Sequence, residues 1–372
     1  MSSSKKYLYF VTDIGELFRL KSKDLSSLNQ AHKIRPESSK SSPPFKEKFT
    51  KIWTDKEGNH SIIRYKNSMY YFNSDSGVVK ELTCLKENQI EVCSVGFDEN
   101  NNNILKTGNI LITDYRNNIY EYSITIDKMD RDDFTFKEKI LLLDSLIFPN
   151  WDNEEDDDLL NEYNPNNRIY GIKFYYNKYE NKNNSCYVII VTRNKIFQLR
   201  GTFENNTFKS LFEKYKNNHS LYNESCKYFP KGDICFGKKE NNFIDYDIDI
   251  LYGNLNRFEK FGWKTQVGYC FGEYEYGEEY TPNDIKQCVV VPFVKINQRG
   301  KKEKDEPISI VHSINHIFAL YKDCLTVISK ITTNIIHTQY LTKSYNNLFY
   351  NEYSIGNGNL ILVSNEEGAF TI

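Results

Sequence analysis

The chain is a succession of short apolar runs broken by tight polar turns, and very little of it carries a helical repeat. Runs rich in Ile, Val, Tyr and Phe fall at 7–12, 61–65, 68–73, 109–114, 119–126, 168–175, 185–192, 195–199, 245–252, 285–293, 308–313, 316–321, 325–329 and 360–363. Most have the ordinary length of a β-strand. Four-residue turns join several of them, at Tyr65–Ser68, Tyr115–Asn118, Thr192–Lys195 and Tyr321–Cys324. That spacing predicts antiparallel hairpins. No strand–helix–strand alternation is present, which disfavours a parallel α/β sheet. Helical spacing is confined to 207–215, where Phe208, Leu211, Phe212 and Tyr215 share a face, and to a weaker stretch at 137–146.

A hairpin followed by a longer polar link recurs at 109–126, 186–199 and 308–329. Four strands with their turns need about 45–50 residues, so the chain has room for about seven such units. The expected fold is all-β: a β-propeller of about seven four-stranded blades, with a short helix near 207–215, in which residues 1–372 form a single domain. Ring closure removes the exposed edges of so many hairpins. The first strand, near Tyr7–Val11, is expected to complete a blade built mainly by the C-terminal end. The Gly-His…Trp-Asp repeat signature is missing, and Trp151-Asp152 is the sole Trp-Asp dipeptide.

Composition narrows the function classes. Lys plus Arg total 48 against 50 for Asp plus Glu, a net charge of -2, which argues against an electrostatic nucleic-acid binder. No apolar signal segment follows Met1–Lys6, and no run approaches the ~20 residues that span a bilayer. The eight cysteines form no C-x-x-C pair, so they read as buried free thiols in a reducing, cytoplasmic setting, without zinc or disulfide. The asparagine blocks at 100–103, 164–167 and 181–184 mark tolerant connections.

Each candidate site has a plainer reading. Asp245, Asp247 and Asp249 share one face of a strand and would suit calcium, but Ile250 and Asn256 break the calcium-loop pattern, leaving a solvated face. Asp152, Glu154, Glu155, Asp156, Asp157 and Asp158 form an acidic loop, either a solvated insertion or a docking patch for a basic partner. His312 and His316 lie around a turn, where their spacing has no ligand meaning. Glu273, Glu275, Glu278 and Glu279 alternate with Tyr274, Tyr276 and Tyr280, as a sugar-binding carboxylate pair would among aromatics, or as a solvated loop. Gly356–Asn359 and Gly300–Lys302 are too short for phosphate loops, there is no G-x-S-x-G elbow, and the mixed-charge run 299–306 reads as an exposed link. No enzyme and no cofactor are expected.

The apolar segments themselves carry a resemblance. Ile52-Trp53-Thr54-Asp55-Lys56-Glu57-Gly58-Asn59-His60-Ser61-Ile62-Ile63 is similar to an apolar strand, Asp-x-x-Gly-x-His and a second apolar strand in the vacuolar protein sorting-associated protein 18 family. Glu91–Phe97, the hairpin Gly108–Ile112 with Ile119-Tyr120-Glu121, and Val188–Arg193 with Phe197-Gln198-Leu199 and Gly201 follow in the family's order. So do Phe208–Phe212, Gly262-Trp263 with Gly268–Gly272, and Pro307–Val311 with His316–Tyr321, so that the likeness is strongest over 52–340. The resemblance implies an N-terminal propeller, followed in the family by an α-solenoid and a RING-type domain absent from this chain, which reads as a piece of a longer protein. It implies a subunit of HOPS- or CORVET-type tethering complexes, acting in vesicular protein transport and endosome, lysosome or vacuole fusion. The implied partners are other tethering-complex subunits, with SNARE or Rab machinery reached through the complex. The implied location is the cytosolic face of late endosomes, lysosomes or vacuoles, with peripheral membrane association through partners. The alternatives are a propeller scaffold of another coat or trafficking complex, and a carbohydrate-binding or carbohydrate-active propeller.

Overall fold

Alternate strand residues point to opposite faces, and several strands are buried on both: every residue of Val92–Phe97 and of Ile110–Asp114 is buried. The computed structural model describes residues 2–11, 16–21, 32–34, 49–144, 169–176, 185–228, 249–275, 286–351 and 359–371, except short connections at 66–67, 99, 131–132, 193–194, 219, 222–225, 252–257, 265–267, 314 and 365–367. These fall into two compact units. One comprises Met1–Leu20 and Ala31–Tyr228, the other Lys21–Gln30 and Phe229–Ile372.

The first unit holds four sheets, each with its strands in sequence order. The first sheet is β1 (Ser2–Ser3), β2 (Tyr7–Val11), β3 (Leu17–Lys21) and β4 (His32–Ile34); the second is β5 (Phe49–Thr54), β6 (His60–Tyr65), β7 (Ser68–Asn73) and β8 (Val79–Glu81). Helix α1 (Thr83–Glu87) leads to the third sheet: β9 (Val92–Phe97), β10 (Ile110–Asp114), β11 (Ile119–Asp130) and β12 (Asp133–Asp144). The fourth is β13 (Ile169–Tyr176), β14 (Ser185–Thr192), β15 (Lys195–Thr202) and β16 (Cys226–Tyr228), with α2 (Lys209–Lys216) before its last strand.

The second unit contains the fifth sheet, β17 (Asp249–Leu251), β18 (Phe258–Lys264), β19 (Gly268–Glu275) and β20 (Lys286–Pro292). A separate hairpin of β21 (Val294–Ile296) and β22 (Lys302–Lys304) comes next. The sixth sheet is β23 (Ser309–His312), β24 (His316–Leu320), β25 (Cys324–Ser329) and β26 (Ile335–Tyr340); the seventh is β27 (Asn347–Asn351), β28 (Asn359–Ser364) and β29 (Gly368–Thr371). The strand pairings are antiparallel, and the four-residue turns join hairpins as their spacing predicts.

The cores lie between successive sheets. Tyr9, Leu17, Ile52, Ile63 and Phe72 fill the space between the first and second. Ile62, Tyr71, Leu85, Val95 and Tyr122 lie between the second and third, and Leu111, Ile172, Phe174, Val188 and Phe208 between the third and fourth. In the second unit Tyr269, Val291, Ile317 and Ile328 join the fifth and sixth sheets, and Leu320, Leu325, Leu348 and Leu362 the sixth and seventh. Small meanders stacked through such cores are the packing of propeller blades; a sandwich would have one core between two large sheets.

Three expectations are corrected. Tyr7–Val11 belongs to a sheet made by the N-terminal residues themselves, because the chain turns at Ser4, whose hydroxyl donates to the Tyr7 carbonyl and accepts from its amide, both at 2.9 Å. Ser2–Ser3 then pairs with Leu8 and Tyr9. Of the stretch 137–146, the described residues, 137–144, are not helical but lie in β12, with Lys137 and Lys139 exposed and Phe136, Glu138 and Ile140 half-buried between and beside them. The four-residue step from Phe136 to Ile140 fits a helix and a strand alike, and pairing with β11 selects the strand. The run 299–306 is not a bare link, since its first half closes the β21–β22 turn. The helix near 207–215 is present at Lys209–Lys216.

Candidate interaction surfaces and the polar groups behind them

Two carboxylates on the third sheet hold the helices. Neither helix caps itself: the residues at their N-terminal boundaries are Leu82 and Phe208, without side-chain hydrogen bonds to the first turn. The free N–H groups there need an acceptor. Glu138 on β12 accepts from the Thr83 amide at 3.1 Å, the Thr83 hydroxyl at 3.0 Å, the Cys84 amide at 3.2 Å and the Tyr122 hydroxyl. Glu121 on β11 accepts from the Thr207 hydroxyl at 2.5 Å and the Phe208 amide at 3.1 Å. Burial raises the Glu121 pKa, opposed by these same bonds. Replacement Glu121→Ala strands two donors beside a fully buried Phe208 and is expected to cost about 2–3 kcal/mol. Urea unfolding of Glu121→Ala against Glu121→Gln checks this, with the amide restoring part of the loss.

The segment Asp55–His60 builds a second buried network. Gly58 sits at φ +80°, and a Cβ there would lie 2.3 Å from the Ser4 hydroxyl, so the turn requires glycine. Asp55 Oδ1 accepts from the His60 amide at 3.0 Å, while Oδ2 has no hydrogen-bond partner. His60 Nε2 donates to the Asn103 carbonyl at 2.7 Å, which leaves Nδ1 to accept from the Tyr71 hydroxyl at 2.5 Å. Asn73 Nδ2 donates to the Tyr71 oxygen at 3.2 Å and the Ile104 carbonyl at 2.8 Å. Burial pushes Asp55 up to about 7 and His60 down to about 4.

This network fixes the asparagine block at 100–103. Asn103 Oδ1 accepts from the Leu105 and Lys106 amides at 2.8 and 3.0 Å, and Asn101 Nδ2 donates to the Lys106 carbonyl at 2.7 Å. The block is therefore a nested set of Asx turns that supplies backbone acceptors to buried His60 and Asn73. It presents Ile104 and Leu105 to solvent, 40% and 38% exposed.

The other sequence-derived candidates are placed as follows. The acidic residues Asp152, Glu154, Glu155, Asp156, Asp157 and Asp158 lie outside the described residues, as do Asp245, Asp247, Tyr276, Glu278, Glu279 and Tyr280. Asp249 starts β17 and Glu273, Tyr274 and Glu275 end β19. Trp263 lies on β18 opposite Cys270, but its side chain is outside the description. His312 is buried, with Nδ1 2.7 Å from the Tyr269 hydroxyl, whereas His316 on the next strand is half-buried. Among the described residues no group of three or more His, Cys, Asp or Glu is placed to hold a metal ion. No helix among them is long and apolar enough to cross a membrane.

Comparison with known proteins defines the class and then the family. The Cps50 (Swd1) β-propeller domain of Myceliophteria thermophila superposes with a TM-score of 0.52 at 10% identity, covering 100% of this chain and 98% of that one. The Neurospora crassa Pan2 WD40 domain gives 0.44 at 11% identity, covering 100% and 86%. No curated protein matches. The fold is a β-propeller. The model of the Pep3/Vps18/deep orange β-propeller domain matches residues 3–351, and the chain belongs to that family. The match reaches well beyond 52–340 at the N-terminal end, taking in the first sheet.

Proposed function

We propose that this propeller is a non-catalytic protein-interaction domain of a HOPS- or CORVET-type tethering subunit, acting in vesicle-mediated protein transport and endosome, lysosome or vacuole fusion. The reading takes residues 1–372 as one propeller domain on the cytosolic face of those membranes, held there through its partners. The observation that carries it is the family match over residues 3–351, which runs through both units. The polar groups described above support a scaffold role, since Glu121, Glu138 and His60 are each engaged by the protein's own amides, hydroxyls and carbonyls. The acidic loop at 152–158 is proposed as a docking patch for a basic partner, on charge alone.

The test is affinity purification of the full-length protein from its native cells. Recovery of the other tethering subunits is the expected result. Recovery of a different coat or trafficking complex overturns the assignment while leaving the scaffold role. Saturable binding of a glycan to the purified propeller, with no protein partners recovered, overturns both.

A further inference from the structure

Among the described residues the β21–β22 hairpin forms a two-stranded sheet apart from the seven larger ones, and its charges are sorted by face. Val294 pairs with Lys304, Lys295 with Glu303 and Ile296 with Lys302. Strand alternation therefore puts Lys295 and Glu303 on one side, and Lys302 and Lys304 on the other with Val294 and Ile296. The Lys295 side is tied to the sixth sheet. Its ammonium lies 2.9 Å from both Asp305 and Asp323, its side chain is only 12% exposed, and the Tyr340 hydroxyl donates to the Asn297 carbonyl at 2.6 Å. Glu303 is also engaged, accepting from Asn297 Nδ2 at 2.5 Å.

On the other side and at the tip every charged residue is a cation. Asn297 Oδ1 accepts from the Arg299 and Lys301 amides at 3.0 Å each, and Gly300 takes φ +74°, which fixes the turn. Arg299, Lys301, Lys302 and Lys304 are all exposed, and among the described residues none of the four makes an ion pair. Val294 and Ile296 are half-buried beside the two lysines.

We propose that this basic hairpin docks directly on anionic phospholipid headgroups. The four cations occupy a tip and one strand face, so they suit an extended array of phosphates better than one pocketed ligand. Three of the four are lysines, compact point charges that bind phosphate oxygens without a fixed direction of approach. Their aliphatic stems, with Val294 and Ile296 between them, allow the ammonium groups to reach phosphate while apolar atoms meet the interface. The chain's net charge of -2 supplies no general attraction to an anionic surface, so binding depends on this local cluster. The inference stands on the hairpin alone and is independent of which complex the protein joins.

The test is co-sedimentation of the full chain with phosphatidylcholine vesicles, with and without phosphatidylserine. Binding is expected only with phosphatidylserine and should weaken as salt rises. Lys302→Gln/Lys304→Gln should lower affinity by about fivefold per charge removed. The fourfold variant, with Arg299→Gln and Lys301→Gln added, should fall to the neutral-vesicle level. Both variants keep Lys295, Asn297 and Gly300, so the thermal midpoint should match the wild type; if the fourfold variant fails to fold, the double variant decides. Equal binding to both vesicle types, or double-variant binding equal to wild type, overturns the proposal. Binding to polyglutamate that the double variant loses, with none to vesicles, overturns it in favour of an acidic protein partner.

Discussion

Gly96→Ala is expected to destabilise the protein by about 3 kcal/mol, at the upper end of what over-packing a core costs. Gly96 lies on β9, a strand buried along its whole length. A Cβ there would meet the Ile172 carbonyl oxygen at 2.6 Å and the Lys173 Cα at 3.3 Å. Both obstacles are backbone. Ile172 is paired with Ile190 in the fourth sheet, so its carbonyl has no side-chain torsion by which to retreat. Relief requires moving β13 away from β9, which opens the core around Ile172, Phe174 and Phe208. Gly77→Ala is the control, at φ +72° with nothing within 4 Å of its Cβ, and should cost only the left-handed backbone term of about 1 kcal/mol. Chemical denaturation of the two variants reads the contrast. If Gly96→Ala unfolds no more easily than Gly77→Ala, the sheets do not approach as closely as described.

The hairpins were legible in the sequence because their determinants are local. Alternation marks a strand, and the four-residue Tyr115–Asn118 carries its own turn chemistry, with Asp114 Oδ1 accepting from the Arg116 and Asn118 amides and Asn117 at φ +63°. The helix caps were not legible. Glu138 and Thr83 are 55 residues apart, Glu121 and Phe208 87. The only local trace is negative: helices that begin beside Leu82 and Phe208 lack a capping side chain and must be served from elsewhere.

The motif Asp55-x-x-Gly58-x-His60 was legible as a resemblance, but not as the centre of a buried network, because Tyr71, Asn73 and Asn103 join it from another strand and a loop. The same long range hid the role of Asn103 within what reads as a tolerant polar block. The first sheet is not legible in the sequence, because a two-residue strand such as Ser2–Ser3 has no pattern at all. In the 299–306 run, charge order alone could not separate Lys302 and Lys304 from Glu303; the cross-strand register does.

Removing Asp55 and removing His60 are expected to tilt the pH profile of stability in opposite directions. Asp55 has a folded pKa of about 7 against 3.8 unfolded, so the folded state holds the extra proton between those values. Its contribution is full near pH 4 and is lost as pH rises towards 7. His60 has a folded pKa of about 4 against 6.5 unfolded, so there the unfolded state holds the extra proton. Its contribution is lost as pH falls from 6.5 towards 4. The two slopes oppose each other across pH 4–6.5, and the wild type carries little net dependence from the pair in that window. Asp55→Asn keeps an oxygen for the His60 amide and leaves the His60 slope alone. Its stability relative to wild type should rise with pH, by about 4 kcal/mol between pH 4 and 7. His60→Gln leaves the Asp55 slope, and its relative stability should fall by about 3 kcal/mol between pH 4 and 6.5. Urea unfolding of the three proteins across that range tests both signs. Burial is the main cause of the low His60 pKa, and the geometry adds to it: Nε2–H is committed to the Asn103 carbonyl, and a proton on Nδ1 would turn away the Tyr71 hydroxyl proton, which the Asn73 Nδ2 donor cannot accept. Parallel profiles for all three proteins would mean that neither group changes its proton affinity on folding, and that the network is no more than a hydrogen-bonded spacer between the second sheet and the Asn101–Lys106 loop.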